Sequence, residues 1–290
     1  MSNDSSDAKT IDTLVSDIYG LFGGTHNCDA GRVERFGQTL ADTVAKRLAN
    51  DRGTDKPTLR MSNLGKPDRQ LWYDINSPGG KEEFEPYTLI KFLYGDILEA
   101  LLLFLVEESG HTVTHSQEEV VVDGVVGHMD AVIDGHVVDV KSASTYSFKK
   151  FQTGSLREDD PFGYMEQLAA YGTGLGGLPG AFLAIDKTLG HVTLMPVDQA
   201  ELEALDTRGR IAHIKEVLES DEAPDKCYEP VPDGASGNMK LDTGCSYCSH
   251  KFKCWADANN GIGLRTFLYS GGPRHLTVVA NEPRTPELTF

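Results

Sequence analysis

Long apolar runs are missing from this sequence of 290 residues. The longest, Ala100 to Val106, is far shorter than the ~20 residues that a helix needs to cross a bilayer. The opening, MSNDSSDAKT, lacks the basic segment followed by an apolar one that marks a secretory signal. We therefore expect a soluble, cytoplasmic protein with no membrane partner.

Positive charge is also scarce. The chain has 27 Lys and Arg against 44 Asp and Glu, which gives a formal net charge of −17. This balance is unusual for a protein that binds nucleic acid, because DNA binders generally present basic surfaces. Total charge does not describe the local field, however, and carboxylates that hold metal ions add to the negative count. Acidity alone therefore does not exclude a DNA substrate.

Cysteine is rare over most of the chain and concentrated near its end. Cys28 stands alone, and we expect it to have no special role. The other four are Cys227, Cys245, Cys248 and Cys254. In a cytoplasmic protein such a cluster indicates a metal centre more readily than disulfides, and packed free cysteines are the alternative. Thiolates suit both Zn²⁺ and iron–sulfur clusters, and the sequence leaves that choice open.

Hydrophobic periodicity and turn residues predict an α/β fold. Helices are expected up to about residue 50 and over about 87–108, 162–172 and 198–218. Strands are expected at about 118–122, 125–133, 136–142, 181–185 and 191–196. This order predicts a central mixed β-sheet flanked by helices. The helix at 87–108 is apolar around much of its circumference, so it is expected to be deeply buried, and the segment around the cysteines is expected to be mostly irregular.

The second of two Asp-Gly pairs in the valine-rich block EEVVVDGVVGHMDAVIDGHVVDVKSAS predicts a hairpin in detail. If Asp134-Gly135 is a two-residue turn, Asp130 falls opposite Asp139. In the same register His128 falls opposite Lys141. These four side chains then share one face of the sheet, because residues two apart on a strand project to the same side. The apolar residues expected on the other face are Met129, Ala131, Val138 and Val140.

Two carboxylates that face each other across a strand pair repel each other unless a cation lies between them. Mg²⁺ and Mn²⁺ prefer oxygen ligands, so Asp130 and Asp139 are candidate metal ligands. Lys141 beside them can stabilise negative charge on a phosphate or orient the attacking water. With a metal that polarises a phosphoryl oxygen, these groups suit phosphodiester hydrolysis. An ordinary charged hairpin face is the alternative, and the Gly-His-Met-Asp element at hairpin-matched spacing weighs against it.

At these residues the sequence resembles the PD-(D/E)XK nucleases, and within them the RecB-like exonuclease branch, over roughly residues 59–255. The Gly-x-x-Asp element resembles Gly127-His128-Met129-Asp130. The (Asp/Glu)-x-Lys element resembles Asp139-Val140-Lys141, and the Gln-x-x-x-Tyr element resembles Gln167 to Tyr171. The resemblance implies a restriction-endonuclease-like core and a divalent-metal-dependent DNA nuclease.

Further residue roles come from the resemblance. Gly95 and Glu99 resemble the upstream element, a helical glycine followed four residues later by an acid. This implies that Glu99 is a third acidic metal ligand and that the main-chain carbonyl of Val140 joins the metal shell; a solvated helix residue is the alternative for Glu99. Gln167 and Tyr171 share one helix face, so they can contact a DNA strand or brace the lysine, with simple packing as the alternative.

Some members of this branch, including the CRISPR-associated exonucleases and AddB, carry an iron–sulfur cluster held by one upstream cysteine and a downstream Cys-x2-Cys-x5-Cys. Cys245, Cys248 and Cys254 match the downstream three. The position of the upstream cysteine lies near Asp68, which departs from the pattern, and Cys227 is the other candidate for the fourth ligand. The resemblance favours [4Fe–4S] over Zn²⁺.

The sequence thus predicts an N-terminal helical region (1–58), a nuclease core (59–220) and a C-terminal cysteine-rich metal-binding segment (221–290). We expect an exonuclease that hydrolyses DNA ends in phage recombination, replication or host DNA degradation. RMSNLGKPDRQLWY and GYMEQLAAYG resemble nucleases of tailed bacteriophages. The alternatives are a structure-selective endonuclease and a non-catalytic DNA-binding module. Expected partners are DNA and phage or host replication and recombination proteins, and the oligomeric state stays open.

Overall fold

A computed structural model describes residues 9–49, 57–77 and 85–289 of the chain. The opening segment up to residue 8 and residues 50–56 of the predicted N-terminal region lie outside the described residues. The chain divides into two compact units. The first consists of residues 1–55, 59–65 and 84–211, and the second of residues 56–58, 66–83 and 212–290. The three regions with boundaries at 58 and 220 remain a prediction.

The α-helices, in chain order, are α1 (Leu14–Gly20), α2 (Ala30–Leu48), α3 (Asp68–Asn76), α4 (Pro86–Glu108), α5 (Thr145–Thr153), α6 (Tyr164–Gly174), α7 (Gln199–Glu203), α8 (Thr207–Glu219), α9 (Thr243–Ser246), α10 (Lys251–Cys254) and α11 (Ala258–Gly261). The strands are β1 (Val113–Thr114), β2 (Glu119–Val122), β3 (Val125–His128), β4 (Ala131–Ile133), β5 (His136–Ala143), β6 (Gly180–Asp186), β7 (Val192–Val197), β8 (Val231–Pro232), β9 (Met239–Lys240), β10 (Arg265–Tyr269), β11 (Gly272–Val278) and β12 (Glu287–Leu288). Within the described part of the chain, none of the helices combines the length and the apolarity needed to cross a membrane.

The first unit is organised around a five-stranded sheet with the order β1-β4-β5-β6-β7. Strands β5 and β6 are parallel, whereas the other neighbours are antiparallel. The sheet is therefore mixed, as predicted. All seven residues of β6 are buried, as expected for a central strand covered on both faces.

The side chains of the central strands point alternately to the two faces of the sheet, and the core accordingly consists of two apolar clusters. Val137 and Phe182 belong to one cluster, which includes buried residues of α5 and α6. Val138 and Leu183 belong to the other, which includes buried residues of α1 and α4. Successive residues of a strand point to opposite faces, so the sheet is packed against helices on both sides.

Both Asp-Gly pairs form the predicted tight turns. The φ angles are positive at both turn residues, 47° at Asp134 and 81° at Gly135, which is the requirement of a type I′ hairpin turn. Ile133 pairs with His136, so the register of the β4–β5 hairpin is the predicted one.

The prediction of one continuous strand over 125–133 is wrong. The segment forms two strands, β3 and β4, which pair with different partners. Strands β2 and β3 form a separate two-stranded sheet. Its pairing extends past β3, since Met129 donates its backbone N–H to the carbonyl of Glu118. His128 therefore pairs with Glu119 and not with Lys141. Met129 joins the cluster of Val137, opposite to the predicted face.

Two predicted helices also differ from the structure. Only the C-terminal half of α4 is deeply buried, at Leu98, Leu102 and Val106, whereas Tyr87 is 60% and Ile90 is 67% exposed. The predicted helix at 198–218 is two helices, α7 and α8. The break between them contains Asp206, whose φ of 43° is incompatible with a continuous helix.

The second unit contains an antiparallel sheet that was not predicted, with the order β12-β10-β11-β9-β8. The expectation of a mostly irregular C-terminal segment is therefore wrong. Strands β10 and β11 form its hairpin, and the other three strands have two residues each. A small cluster of buried apolar residues lies beside the cysteines: Leu241, Cys245, Trp255 and Ala258. Other buried apolar residues of this unit are Leu71, Tyr73, Ile214, Phe267 and Leu276.

Candidate active site

Two carboxylates meet where the β4–β5 hairpin opens. Asp130 directly precedes β4, and continuation of the Ala131–Val138 pairing places it opposite Asp139, as predicted. One oxygen of Asp130, Oδ2, accepts a hydrogen bond of 2.7 Å from the backbone N–H of Val140. The main-chain hydrogen bond fixes this carboxylate against β5 without a side-chain donor. The role of the Val140 carbonyl as a metal ligand remains a prediction.

Lys141 lies beside this pair of carboxylates. Its Nζ is 2.5 Å from Oδ2 of Asp139, which is 2% exposed, and 4.5 Å from the centre of the Tyr164 ring. Burial disfavours the charged lysine, but Asp139 and Asp130 outweigh it and raise the pKa of Lys141 above its usual range. Lys141 is therefore a fixed positive charge at neutral pH.

Glu99 supplies a third carboxylate from α4. A Cβ added at Gly95, one turn earlier, would lie 3.3 Å from Oγ of Ser142, so glycine lets the helix approach β5 closely. Oε1 of Glu99 accepts a hydrogen bond of 2.8 Å from the side-chain amide of Gln117. Burial, Asp139 and Asp96 raise the pKa of Glu99 to about 7.

The three carboxylates carry more negative charge than their surroundings offset. Burial and then the charges of Asp139 and Glu99 raise the pKa of Asp130 well above its usual range. Burial also raises the pKa of Asp139, although Lys141 opposes the shift. Among the described residues, Oδ2 of Asp139 has no well-oriented hydrogen-bond donor, although Lys141 is close to it. Buried oxygen ligands with excess negative charge fit Mg²⁺ or Mn²⁺.

Gln117 connects two of these carboxylate residues, and sequence reasoning missed it. Its side chain binds Glu99, and its backbone N–H donates to the carbonyl of Asp130 over 3.1 Å. Its φ of 57° lies in the left-handed region, which is uncommon for a residue other than glycine. Strained conformations of this kind are retained where the surroundings hold them in place. No pattern in the sequence marks this position.

Gln167 and Tyr171 brace the strand that leads to Asp130. Nε2 of Gln167 donates to Oη of Tyr171 over 3.0 Å, and that hydroxyl donates to the carbonyl of His128 over 2.8 Å. A Cβ at Gly127 would lie 2.7 Å from the Tyr171 ring, so glycine is required there. Tyr171 is 2% exposed. The buried hydroxyl of Tyr171 therefore braces β3, whereas one alternative predicted from the sequence was that it braces Lys141.

The side chain of His128 is exposed. Its Nε2 lies 3.9 Å from Oε2 of Glu119, and the register places it opposite that residue. The predicted alignment with Lys141 is therefore wrong because β3 pairs with β2. A contribution of His128 to catalysis remains a prediction.

Tyr164 is a site residue that sequence reasoning missed. It follows Gly163, whose backbone meets that of Gly65 so closely that a Cβ would lie 2.4 Å away. This approach fixes the start of α6, and the Tyr164 ring contacts Lys141 from there. Spacings of three and seven residues put Tyr164 on the helix face of Gln167 and Tyr171. That spacing is the signal that could have found it.

A cleft in the first unit adjoins Glu99 of the carboxylate group. It runs between α2 and α4 and includes Glu99 and Gln117 in its lining. The rings of Phe36 and Phe104 stack within it, with centroids 4.7 Å apart and an interplanar angle of 16°. Its positively charged lining residues are Arg32 and Arg35. Its acidic lining residues are Asp96, Glu99 and Glu107. Arg32 pairs with Glu108 at 3.3 Å and Arg35 with Glu107 at 3.8 Å, so the cleft offers an aromatic surface and two ion-paired arginines.

All four predicted cysteines line one small cavity in the second unit: Cys227, Cys245, Cys248 and Cys254. Their sulfurs accept hydrogen bonds from several donors. Nε of Arg69 is 3.1 Å from Sγ of Cys254, and the backbone N–H of His250 is 3.4 Å from Sγ of Cys248. The upstream candidate Asp68 instead contacts Nε2 of His213 at 2.6 Å and is absent from the cavity lining.

The spacing of these sulfurs is wider than that of a tetrahedral zinc site. Zn–S bonds of ~2.3 Å place tetrahedral ligand atoms about 3.8 Å apart. Among the described residues, no three of these sulfurs all lie within 4.8 Å of one another. Burial raises the pKa of the Cys245 thiol to about 12, so a bound cation is needed to ionise it at neutral pH. Four thiols around one cavity are a candidate ligand set for a bound metal.

No protein-family model matches the chain, and no curated protein matches it. Solved structures that resemble it include an alkaline exonuclease, LHK-Exo, from Laribacter hongkongensis, with a TM-score of 0.39, 16% identity and coverage of 62% of this chain and 94% of that chain. The LHK-Exo complex with dAMP gives 0.39 and 17%, with the same coverage. The protein SSO0001 gives 0.39 and 15%, covering 74% of this chain and 93% of that chain.

Similarities of this size carry no argument about activity. The fold class rests on the sheet itself, which is mixed, central and flanked by helices, as predicted. This α/β arrangement is consistent with a restriction-endonuclease-like core.

Proposed function

We propose that this protein is a Mg²⁺- or Mn²⁺-dependent deoxyribonuclease. The observation that carries the proposal is the meeting of Asp130, Asp139 and Glu99 with Lys141 at one end of the sheet, with all three carboxyl pKa values raised. A bound divalent cation supplies charge neutralisation and polarises the scissile phosphate. An ordinary charged hairpin face does not account for the burial of Asp139 beside a half-buried Lys141.

The side chains divide the work of hydrolysis. A water oxygen bonds to phosphorus, the bond to the leaving oxygen of the strand breaks, and a proton ends on that oxygen. Lys141, held by Asp139, presents an ammonium group that can donate to a phosphate oxygen or to the attacking water. Tyr164 shields one side of this ammonium from solvent. Gln117 orients Glu99, and the Gln167–Tyr171 pair fixes the strand before Asp130.

We further propose that the enzyme is an exonuclease that admits one DNA strand through the cleft between α2 and α4. Stacked Phe36 and Phe104 offer a surface for bases, and Arg32 and Arg35 offer charge for phosphates. Action on DNA ends in phage recombination, replication or host DNA degradation, within the host cytoplasm, belongs to the same proposal. It is motivated by the resemblance of the sequence to nucleases of tailed phages.

A comparison of DNA topologies tests this proposal. Linear and covalently closed circular DNA are incubated with Mg²⁺, Mn²⁺ or EDTA. We expect metal-dependent release of mononucleotides or short oligonucleotides from linear DNA only. Cleavage of closed circles with equal efficiency identifies an endonuclease. Binding of DNA without cleavage under any metal identifies a non-catalytic module.

We also propose that Cys227, Cys245, Cys248 and Cys254 hold a [4Fe–4S] cluster. The support is their shared cavity, the hydrogen bonds that their sulfurs accept, and a spacing wider than zinc requires. Hydrogen bonds to the sulfurs are a recurring feature of such centres. Protein purified without oxygen should be brown and contain iron. Colourless protein with one zinc at these cysteines would favour the alternative.

Cys227→Ser decides the fourth ligand. Loss of iron in this variant supports the set of four local cysteines, whereas full retention points to an upstream residue such as Asp68. Cys28→Ser is the matched control, because Cys28 is absent from the cavity lining and the substitution should leave the iron content unchanged.

A further inference from the structure

Three side chains of types that bind metals lie close together. Two of them belong to the segment that precedes α2, and the third is the last residue of α4. A ring nitrogen of His26, Sγ of Cys28 and a carboxylate oxygen of Glu108 lie within 4.8 Å of one another. Among the described His, Cys, Asp and Glu residues, no other group of three is this close. We propose that these residues form a binding site for Zn²⁺, separate from the carboxylates and from the four-cysteine cavity. Imidazole, thiolate and carboxylate are the side-chain ligands that zinc takes in proteins.

The local sequence brings two of the ligands together. His26 and Cys28 are two residues apart in a segment without helix or strand, and side chains at this spacing in an extended chain project to the same side. Asp29 follows as the N-cap of α2, where its side chain accepts the N–H of Arg32 over 2.8 Å. The ligand pair therefore directly precedes a fixed helix start.

Glu108 supplies the third ligand from a place that disfavours an isolated carboxylate. It ends α4, where the helix dipole is negative, and its side chain is only 2% exposed. Oε2 lies 2.9 Å from Nε2 of His26, whereas Oε1 lies 3.3 Å from Nη1 of Arg32. The two oxygens thus have different partners. Arg32 stands where an outer hydrogen-bond donor to a ligating carboxylate is expected.

Only small movements are needed to form the site. Bonds of ~2.0 Å to nitrogen or oxygen and ~2.3 Å to sulfur separate tetrahedral ligand atoms by about 3.3–3.6 Å. The three atoms already lie within 4.8 Å. His26 and Cys28 are both exposed, so their side chains can rotate and water can reach the fourth position.

The site strengthens the anchor that the hydrogen bond between His26 and Glu108 gives the polar segment before α2. Residues 22–30 are all exposed, so apolar burial contributes little to ordering this segment. A metal that joins it to α4 also fixes the start of α2, the helix that carries Arg32 and Arg35 of the cleft. The proposal does not depend on DNA cleavage, since it concerns metal binding and local order.

Zinc binding by the full chain tests the site. Protein equilibrated with Zn²⁺ is analysed for bound metal, and the affinity is measured by calorimetric titration. We expect Cys28→Ser and His26→Ala each to lose one Zn²⁺ per chain, and Asn27→Ser, the matched control between the two ligands, to keep it. Arg32→Gln should weaken binding by roughly 10–100-fold, because it removes an outer partner of the ligand.

Cobalt gives a second readout. Co²⁺ bound in place of zinc should show thiolate charge-transfer absorption that is lower in Cys28→Ser than in wild type and unchanged in Asn27→Ser, which assigns that part of the signal to this site. Equal zinc content, affinity and cobalt spectra in wild type, Cys28→Ser and His26→Ala would overturn the proposal, provided that all three give native circular dichroism.

Discussion

The carboxylate site and the four-cysteine cavity differ in what holds their side chains in place. Asp139 lies on a central strand between two large apolar clusters, and the register of a tight hairpin positions Asp130 opposite it. The apolar cluster beside the cysteines consists of four buried residues, one of which is Cys245 itself. The first site is a product of its fold, whereas the proposed metal at the second would contribute to the folding of its own unit.

This difference predicts that removal of a proposed metal-binding side chain affects activity at the first site and stability at the second. In the first unit, removal of a carboxylate relieves repulsion between like charges, so the fold should remain while chemistry is lost. In the second unit, metal-binding free energy is part of the folding free energy, so ligand loss should lower stability first.

The largest effect should come from Asp130→Ala and Lys141→Ala. Each should lower single-turnover cleavage by at least ~1,000-fold, because these groups act together on the same phosphate. The double variant should lose little more than either single variant. Losses that multiply in the double variant would show that the two residues do not belong to one site.

Cys248→Ser should affect stability more than any variant at the carboxylates. We expect loss of bound iron together with a large fall in the melting temperature, because the small apolar cluster cannot replace the metal. Anaerobic thermal unfolding and iron analysis of the same preparation measure both. A variant that loses iron and unfolds at the wild-type temperature would contradict the structural role.

An intermediate effect is expected at the brace of the β3 strand. Tyr171→Phe removes the donor to the carbonyl of His128 and should lower stability by about 1–3 kcal/mol. Activity should fall in both Tyr171→Phe and Gln167→Ala, but by less than on loss of a metal ligand. Denaturant unfolding and cleavage at limiting DNA report the two effects. Wild-type values in both variants would reduce the pair to ordinary packing.

The smallest effect should come from the cleft. Arg35→Ala should weaken DNA binding several-fold and reduce the slope of log affinity against log salt by about one, the signature of a lost phosphate contact. Lys46→Ala removes the same charge from α2 outside the cleft lining and is the matched control. Equal changes in both variants would mean that the cleft does not bind DNA.

Local signals in the sequence predicted what local geometry determines. Asp134-Gly135 determines its own turn, so the hairpin register and the opposition of Asp130 to Asp139 followed. The position of His128 did not follow, because the valine-rich run gives no sign that its two halves pair with different strands. Gly127, in the first of these halves, lies against Met61 and Tyr171, which are distant in the chain.

No comparable sequence pattern marks the residues that reach these sites from distant parts of the chain. Gln117 binds Glu99 through a fold-dependent contact, and Glu108 meets His26 across 82 positions of sequence. The isolated Cys28, expected to have no role, acquires neighbours only in the folded chain. The C-terminal sheet was missed because three of its five strands have two residues each, too few for alternation to show.

The most direct test of the proposed nuclease is Asp139→Asn, examined for cleavage and stability in the same preparation. Cleavage of linear DNA in Mn²⁺ is compared with that of wild type, and thermal unfolding of both is followed in EDTA. We predict a loss of at least ~1,000-fold in cleavage, with a melting temperature at or above that of wild type because a buried charge is removed. A folded Asp139→Asn protein that cleaves DNA at the wild-type rate would contradict the account.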